Sequence, residues 1–335
     1  MPASGDILQQ LRRPGGALLA PMSGITDAGM RRAALRFGAT LVVSEMVASD
    51  QLALGEEEAR LRAEGDGIVP HVVQIAGCEP RWMAEGARAA EAAGAAIIDI
   101  NMGCPAKRVT NGWSGSALMR DLDNACRLID ATVSAVSVPV TLKTRLGWDH
   151  ANLNAPELAR RAEALGVRMI TIHGRTRQQF YKGRADWKAV RAIREATTVP
   201  LVVNGDIADA RSARSALSAS GAEHVMIGRG ALGRPWLVGE IAAELAGIAK
   251  PLLDGHVLAD AALAHYEFLL RAFGVEKGLR HARKHVVAYH DEAIRRGGQG
   301  GDRAALATCE DPRAVMRLLR AAFESIPAVH LSEVA

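Results

Sequence analysis

Short apolar runs alternate with longer segments of helical periodicity over the first 230 residues. Several runs are rich in β-branched residues and nearly uninterrupted, which is typical of parallel strands covered on both faces. Eight runs occur: residues 16–22, 39–45, 71–76, 95–101, 139–145, 168–174, 200–206 and 223–230. Eight alternating strand and helix units predict an α/β fold of the (β/α)₈ TIM-barrel class. An open doubly wound sheet is the alternative, which the even spacing of the units disfavours.

The strand pattern stops near residue 250. The segments ADAALAHYEFLLRAF and GLRHARKHVVAYHDEAIRR carry helical periodicity throughout. We therefore expect a barrel domain over residues 1–248 and a smaller C-terminal all-helical domain over residues 249–335.

Charge and cysteine content restrict the class of protein further. The chain of 335 residues has a net charge of +4, and residues 271–296 alone hold seven basic and three acidic side chains. Its four cysteines (78, 104, 126 and 309) lack paired spacing, so we expect no disulfide framework and no metal site. The N-terminus lacks a secretory pattern and no long apolar window occurs, so we expect a cytoplasmic protein without a membrane segment.

Polar side chains stand where the predicted strands end. In barrels of this class the active site lies at the carboxyl ends of the strands. The residues there are Pro21 and Met22, Glu45, Gln74, Asn101 with Cys104, Lys143 with Arg145, His173 with Arg175, Asn204 to Asp206, and Gly228 to Gly230.

The last two strand ends carry glycine-rich turns. Backbone amides at Gly205, Gly228 and Gly230, with Arg229 as a charge partner, would suit a phosphate dianion. Each turn alone is equally compatible with a tight connection, but the pair favours phosphate.

Lys143 and His173 are each open to two interpretations. A lysine at the end of an apolar strand is costly unless it is compensated, so Lys143 either stabilises an anionic ligand or pairs with Glu45 or Asp99. His173 alone would suit a satisfied core position. The basic residues that follow it, at 175, 177, 182 and 184, instead favour a phosphate-rich ligand.

Cys104 lies in a loop at the mouth of the predicted barrel. A cysteine thiol is largely protonated at neutral pH, so there it could donate a proton to a substrate held over a cofactor. The other three cysteines lack such a setting, and we expect them to be structural.

Seven motifs in register resemble the tRNA-dihydrouridine synthases, most closely their bacterial B-type subfamily. The motifs are APMSGITD (20–27), VVQIAG (72–77), DINMGCPAKRV with GSALMRD (99–121), TLKTRLGW (141–148), HGRTRQQFYKGRADW (173–187), VNGDI (203–207) and MIGRGALGRPW (226–236). The resemblance covers nearly all of the barrel and continues into GLRHARKH of the tail.

The resemblance implies a flavin enzyme. NADPH, or NADH, reduces FMN; the flavin passes hydride to C6 of a D-loop uridine in tRNA, and a cysteine protonates C5, which yields 5,6-dihydrouridine. A strong hydride donor is needed because no side chain can supply hydride to an unactivated pyrimidine double bond. By matching positions, Cys104 is the proton donor. FMN is held by Pro21, Met22, Ser23, Gln74, Lys143, His173, Asn204, Gly205, Asp206, Gly228 and Arg229.

The tRNA needs a surface beyond the pocket, because the uridine must leave the folded RNA to reach a barrel mouth. Near the pocket we expect Asn101, Arg145, Arg175 and Arg177 to contact tRNA. In the tail we expect Lys277, Arg280, Arg283 and Lys284 to do so. Lys277, Arg280, His281 and Lys284 fall at positions i, i+3, i+4 and i+7 of a predicted helix and so share one face. A solvated charged face is the alternative.

Residues Asn111, Gly112 and Trp113 depart from the family pattern, so the shape of the loop that carries Cys104 is the least predictable part of the site. Two other functions remain open: a flavin reductase for a small pyrimidine or enoate, which the basic tail disfavours, and an RNA-binding protein without catalysis, which the intact Cys104 and Lys143 disfavour. The B-type resemblance implies uridine 17, and we expect a monomer.

Overall fold

The computed structural model describes residues 15–250, 253–299 and 301–327, and its strands form the predicted barrel. The strands are β1 (Ala17–Leu19), β2 (Leu41–Val42), β3 (Met46–Ala48), β4 (Val72–Ala76), β5 (Ile97–Met102), β6 (Val140–Arg145), β7 (Ile170–His173), β8 (Leu201–Asn204) and β9 (His224–Ile227). All neighbouring strands pair in parallel, in the order β2-β1-β9-β8-β7-β6-β5-β4-β3.

The run at residues 39–45, which we predicted as one strand, is divided between β2 and β3. These two pieces are the ends of the pairing order and are joined directly by residues 43–45, so the chain itself closes the barrel. Ser44 bridges the gap: its N–H donates to the Val72 carbonyl (3.0 Å), and its hydroxyl accepts from the Gln74 N–H (2.9 Å). Through these two bonds Ser44 keeps the connecting segment attached to β4.

Helices surround the barrel and account for the continuous apolar runs. They are α1 (Ala28–Arg36), α2 (Ser49–Ala53), α3 (Glu57–Ala63), α4 (Pro80–Ala92), α5 (Lys107–Thr110), α6 (Leu122–Val133), α7 (Ala155–Ala164), α8 (Arg191–Ala196), α9 (Ala210–Ser220) and α10 (Trp236–Ala246). On β1, Leu18 packs inside the barrel, whereas Ala17 and Leu19 pack in the layer beneath the helices. Both faces of such a strand are therefore apolar.

The tail is helical within the described residues, as predicted. Its helices are α11 (Gly255–Phe273), α12 (Val275–Arg295), α13 (Arg303–Thr308) and α14 (Pro312–Glu324). Their apolar cluster also includes Phe37 and Trp236 of the barrel, and Trp236 stacks on Tyr289 of α12 with ring centroids 6.0 Å apart. The domain limits of 1–248 and 249–335 stay a prediction, and residues 1–14 and 328–335 lie outside the described ranges.

A buried hydrogen-bonded chain joins the tail to the barrel. Asp27 caps α1 by accepting from the Met30 N–H (3.1 Å), and its two carboxylate oxygens each lie 3.0 Å from Nε2 of His265 on α11. Nδ1 of His265 lies 2.9 Å from the hydroxyl of Tyr289. Burial by itself would raise the pKa of Asp27, but the two neighbouring histidines, His265 and His285, lower it to about 2. The carboxylate is therefore charged at neutral pH.

Within the described ranges, none of the helices combines the length and apolar character that crossing a lipid bilayer requires.

Candidate active site

A cavity of about 740 Å³ opens at the carboxyl ends of the barrel strands. Its volume is within the range of small-molecule sites, about 300–1,000 Å³. It is lined by all the residues that we expected to hold a cofactor, Pro21, Met22, Ser23, Gln74, Lys143, His173, Asn204, Gly205, Asp206, Gly228 and Arg229, and also by Asn101, Cys104 and Arg145. Residues from seven separate stretches of the chain thus meet in one cavity.

A buried network of hydrogen bonds runs from the barrel interior to the Cys104 loop. The carboxylate of Asp99 accepts from the Thr141 hydroxyl and from Nε2 of Gln74, both at 2.6 Å. Oε1 of Gln74 accepts from Nδ2 of Asn101 (2.8 Å), and Oδ1 of Asn101 accepts from the Cys104 N–H (2.9 Å). Each amide group is therefore oriented by its neighbour.

Cys104 is half-buried, with a free thiol, and its backbone is held on both sides. Its carbonyl accepts from the hydroxyl (2.8 Å) and the N–H (3.1 Å) of Ser116. Gly115 permits this approach: its φ is +60°, and a Cβ there would lie 2.8 Å from the Cys104 carbonyl oxygen. The loop therefore fixes the backbone of Cys104 at the cavity wall.

Lys143 projects from β6 into the cavity wall. Its Nζ lies 3.3 Å from Oδ1 of Asn204, and no carboxylate of the described residues forms an ion pair with it. Burial, followed by the nearby charge of Arg145, lowers the pKa of Lys143 to about 8. The nearby carboxylate of Asp99 opposes this shift without forming a direct ion pair, and the ammonium group is thus mostly protonated at neutral pH.

His173, at the end of β7, is a neutral imidazole. Burial and then the charges of Arg145, Lys143, Arg175 and Arg229 hold its pKa well below the usual value. Nη1 of Arg175 lies 3.2 Å from its Nε2. Because a guanidinium can only donate, Nε2 is the acceptor and Nδ1 carries the proton.

The turn after β8 brings backbone close to His173. Gly205 has φ +116°, and a Cβ there would lie 2.9 Å from Cδ2 of His173, so this turn requires glycine. The following Asp206 also has a positive φ of 56°. Its carboxylate accepts from Nη2 of Arg175 (2.7 and 2.8 Å) and from the Ala185 N–H (2.7 Å). The charge of Arg175 thus neutralises the Asp206 carboxylate beside the glycine turns, and the Ala185 N–H satisfies one of its oxygens.

The chain that forms this cavity matches the model of a known protein family. The family model described as "Dihydrouridine synthase (Dus)" matches residues 18–325. The chain belongs to the dihydrouridine synthase family. It is 53% identical over 308 residues to a "Probable tRNA-dihydrouridine synthase" of Rhizobium leguminosarum bv. phaseoli, which covers 92% of this chain and 95% of the relative. The family resemblance of the seven motifs is therefore confirmed.

Relatives with the B-type name are among the matches. A "tRNA-dihydrouridine synthase B" of Xanthomonas campestris pv. campestris is 44% identical over 314 residues, which is 93% of either chain. Among solved structures, an old yellow enzyme homologue from Zymomonas mobilis matches with a TM-score of 0.50 at 15% identity, covering 72% of this chain and 93% of that one. At such low identity the structural likeness supports the barrel fold alone.

Two arginines that we expected to contact tRNA lie inside the protein. Arg145 is 1% exposed and donates to the carbonyls of Gly103 (2.7 Å), Thr176 (2.9 Å) and Phe180 (2.9 Å). Arg175 is 2% exposed and binds Asp206. Both guanidinium groups are held by protein atoms and brace the loops that form the cavity, and the tRNA contacts of these two residues stay predictions.

Arg177 also contacts protein rather than solvent on most of its surface. Its guanidinium lies 4.8 Å from the ring centroid of Trp148 and 5.8 Å from that of Phe180. Its Nη2 donates to the Thr110 hydroxyl at 3.4 Å. A half-buried arginine between two rings can still reach a ligand at its edge, so an RNA contact here stays a prediction.

The predicted basic positions of the tail are exposed on α12. Lys277, Arg280, Arg283 and Lys284 all face solvent, while Ala282 and Val286 are buried. Arg280 forms an ion pair with Glu276. Lys277 lines a second cavity of about 360 Å³ between the tail and the barrel, which Glu57 and Glu58 also line. The face is therefore basic but bordered by acidic groups.

Sequence reasoning did not single out Tyr181 or the role of Asp99. Tyr181 is 49% exposed at the cavity wall, with the guanidinium of Arg229 5.0 Å from its ring centroid. The sequence feature that could have identified Asp99 is a carboxylate inside the apolar run IIDIN, which needs donors when buried. Among the described residues, one group of side chains has potential metal-ligand atoms that all lie within 4.8 Å of one another: Asp27, His265 and His285. The expected absence of a metal site therefore stays a prediction.

The network predicts the effect of removing Asn101. In Asn101→Ala the N–H groups of Gly103 and Cys104 lose their acceptor, and their hydrogen exchange should become about tenfold faster. Asn111→Ala, an exposed position in the same loop, is the control and should leave both rates unchanged. Exchange resolved to single residues by NMR checks this; equal rates in Asn101→Ala and wild type would show that the side chain does not hold the loop.

Proposed function

We propose that this protein is a tRNA-dihydrouridine synthase that reduces the C5–C6 bond of a D-loop uridine to 5,6-dihydrouridine, with FMN as cofactor and NADPH as reductant. The observation that carries the proposal is the single cavity shared by Cys104, Lys143 and the glycine turns after β8 and β9. A proton donor, a buried cation and glycine-rich turns that could hold a phosphate suit a flavin-dependent reduction of a pyrimidine.

The residues present suit FMN. The phosphate would lie against the turns that contain Gly205 and Gly228, with Arg229 as its charge partner. Asp206 does not oppose an anion there, because Arg175 neutralises its carboxylate (Nη2 to Oδ2, 2.7 Å). Gln74 and Asn204 provide amide groups for the ring system. When bound, FMN reduced by NADPH supplies hydride for C6 of the uridine.

Lys143 provides positive charge where the ring system would lie. A buried ammonium that makes no direct ion pair is costly, and an anionic ring bound beside it would offset that cost. The pKa of about 8 in the protein without ligand is consistent with this role, since binding of an anion would raise it.

Cys104 holds the proton for C5. The bonds from Asn101 and Ser116 hold the backbone of Cys104 at the cavity wall, so its thiol stays within reach of a ligand in the cavity. His173, with its proton on Nδ1, is available to donate a hydrogen bond to the ring system or to the base. Arg145 and Arg175 act as positioning residues, because each ties together loops that line the cavity.

The tRNA would approach across the barrel mouth and the tail. Lys277, Arg280, Arg283 and Lys284 present positive charge on one helix. Nζ of Lys284 lies within 2.9 Å of where a Cβ of Gly24 would be, so α12 reaches the loop that contains Met22 and Ser23.

We propose uridine 17 as the target, from the resemblance to B-type members. A monomeric state, a cytoplasmic location and the choice of NADPH over NADH also belong to the proposal.

Loss of the Cys104 thiol should separate the two half-reactions. Cys104→Ala should bind FMN and be reduced by NADPH as wild type is, while dihydrouridine formation falls at least about 100-fold, because only the proton transfer loses its donor. Cys78→Ala, a half-buried cysteine outside the cavity lining, is the matched control. Stopped-flow flavin absorbance and nucleoside mass spectrometry measure both steps; full activity of Cys104→Ala would remove Cys104 from the mechanism.

The charge state of Lys143 predicts a pH dependence of FMN binding. The ammonium is lost as pH rises through about 8, so the affinity of wild type for reduced FMN, whose ring is anionic, should fall between pH 7 and 9, by up to about tenfold per pH unit. Lys143→Met should bind reduced FMN more weakly at pH 7 and lose most of this pH dependence. Anaerobic titrations with reduced FMN, followed by flavin absorbance, test it, and parallel pH profiles for the two proteins would contradict the role of Lys143.

The exposed basic face predicts the salt dependence of tRNA binding. Arg280→Ala combined with Lys284→Ala should weaken binding and reduce the slope of log K against log salt by about 0.9 for each phosphate that the variant no longer neutralises. Arg313→Ala with Arg317→Ala on α14 removes the same charge at two exposed positions and is the control. Filter binding at several salt concentrations gives the slopes; an unchanged slope in the first variant excludes this face.

A further inference from the structure

The loop that carries Cys104 also presents an exposed tryptophan. Trp113 is 60% exposed, whereas the other four tryptophans are partly or fully buried. Its position on the loop is close to the cavity, because Val109, which lines the cavity, accepts from the Ser114 N–H (3.2 Å).

The backbone holds Trp113 in an unusual conformation. Its φ is +58°, and among the described residues only Phe180 and Asp206 are other non-glycine residues with positive φ. Bulky side chains rarely adopt this region, and such residues persist where the surrounding structure imposes them. Here the Trp113 N–H donates to the Thr110 carbonyl at 3.1 Å, and Gly115 follows with φ +60°. The indole is therefore held outward rather than folded into the loop.

A stack of rings and guanidinium groups connects Trp113 to the cavity wall. Arg120 lies 5.3 Å from the ring centroid of Trp113 and 5.0 Å from that of Trp148. Arg177 lies between Trp148 and Phe180, and Phe180 meets Tyr181 edge to face with centroids 5.5 Å apart. Tyr181 lines the cavity. Cation–π contacts of this kind fix the planes of the rings.

The chemistry of this surface suits a nucleobase. Single-stranded nucleic acids are bound by aromatic rings on which bases stack, with arginines beside them for the phosphates. Trp113 supplies an exposed ring, and Arg120, exposed beside it, supplies a charge. The arginines along the stack complement a polyanion better than an apolar protein surface, so RNA is the occupant that this surface favours.

We propose that Trp113 is a stacking site for a nucleobase of the tRNA D-loop that lies next to the reacting uridine. The stacked base holds the loop open while the uridine occupies the cavity, and this influences which uridine is reduced. The inference rests on the proposed function, because the tRNA is the substrate of the same cavity.

The test compares Trp113→Ala and Trp113→Phe with a matched tryptophan elsewhere. Trp82→Ala is the control, since Trp82 lies on α4 outside the cavity lining and also has an arginine, Arg81, 4.9 Å from its ring centroid. The flavin-loaded proteins are assayed on an unmodified tRNA transcript, with dihydrouridine mapped by position and KM and kcat determined separately. Flavin content of each variant reports on the integrity of the cavity.

Stacking predicts about a tenfold rise in KM for tRNA in Trp113→Ala, with flavin content equal to that of wild type. Trp113→Phe should recover most of the loss because it keeps an aromatic face, and Trp82→Ala should match wild type. Stacking also predicts that a D-loop oligonucleotide quenches indole fluorescence in wild type more than in Trp113→Phe.

Three results would overturn the inference in distinguishable ways. Equal KM values for Trp113→Ala and an active wild type would exclude the stacking site and leave the proposed function intact. Loss of flavin from Trp113→Ala would show that the indole supports the loop instead. A flavin-loaded wild type that forms no dihydrouridine at any position would overturn the proposed function and the stacking site together.

Discussion

The buried carboxylate of Asp99 is the constraint on which the candidate site depends. It is 3% exposed, and burial raises its pKa, an effect that the donors from Thr141 and Gln74 oppose. Because a buried carboxylate needs donors, Asp99 fixes which end of the Gln74 amide faces it. Gln74 then orients Asn101, and Asn101 holds the Cys104 loop. Through Gln74 and Asn101, the buried carboxylate of Asp99 thus determines where the Cys104 loop lies at the barrel mouth.

The second constraint couples the tail to the cofactor side of the cavity. Asp27, which binds His265 of α11, immediately follows Thr26, whose hydroxyl accepts from the Met22 N–H at 2.8 Å. Met22 lines the cavity. Residues 22–27 therefore connect the loop expected to contact FMN with the helical tail that presents the basic face. A change in the packing of the tail against the barrel would therefore directly affect the wall of the cavity.

The barrel and most cavity-lining residues could be predicted from the sequence because two physical rules are strong. Strands covered on both faces give uninterrupted apolar runs, and the carboxyl ends of parallel strands in a barrel meet on one side. Gln74, Lys143 and Asn204 follow from these rules alone. Nothing else in the sequence positions of these three residues, which lie far apart along the chain, indicates that their side chains line one cavity.

The remaining features depend on interactions that a linear pattern does not contain. The division of residues 39–45 depends on the Ser44 hydroxyl meeting the Gln74 N–H, 30 residues away. Arg145 and Arg175 were expected to contact tRNA; their bonds to the Gly103 carbonyl and the Asp206 carboxylate cannot be read from neighbouring residues in the sequence. The pairing of Asp27 with His265 spans 238 positions. Each of these features is a long-range hydrogen bond of a polar side chain.

The central claim is that Cys104 protonates a tRNA uridine in this cavity. The most direct measurement maps dihydrouridine position by position in total tRNA from a host strain that lacks the gene, complemented with wild type or with Cys104→Ala. We predict loss at one D-loop position, restored by wild type and not by Cys104→Ala. Unchanged dihydrouridine at every position in the deletion strain, with no second family member in that host, would contradict the account.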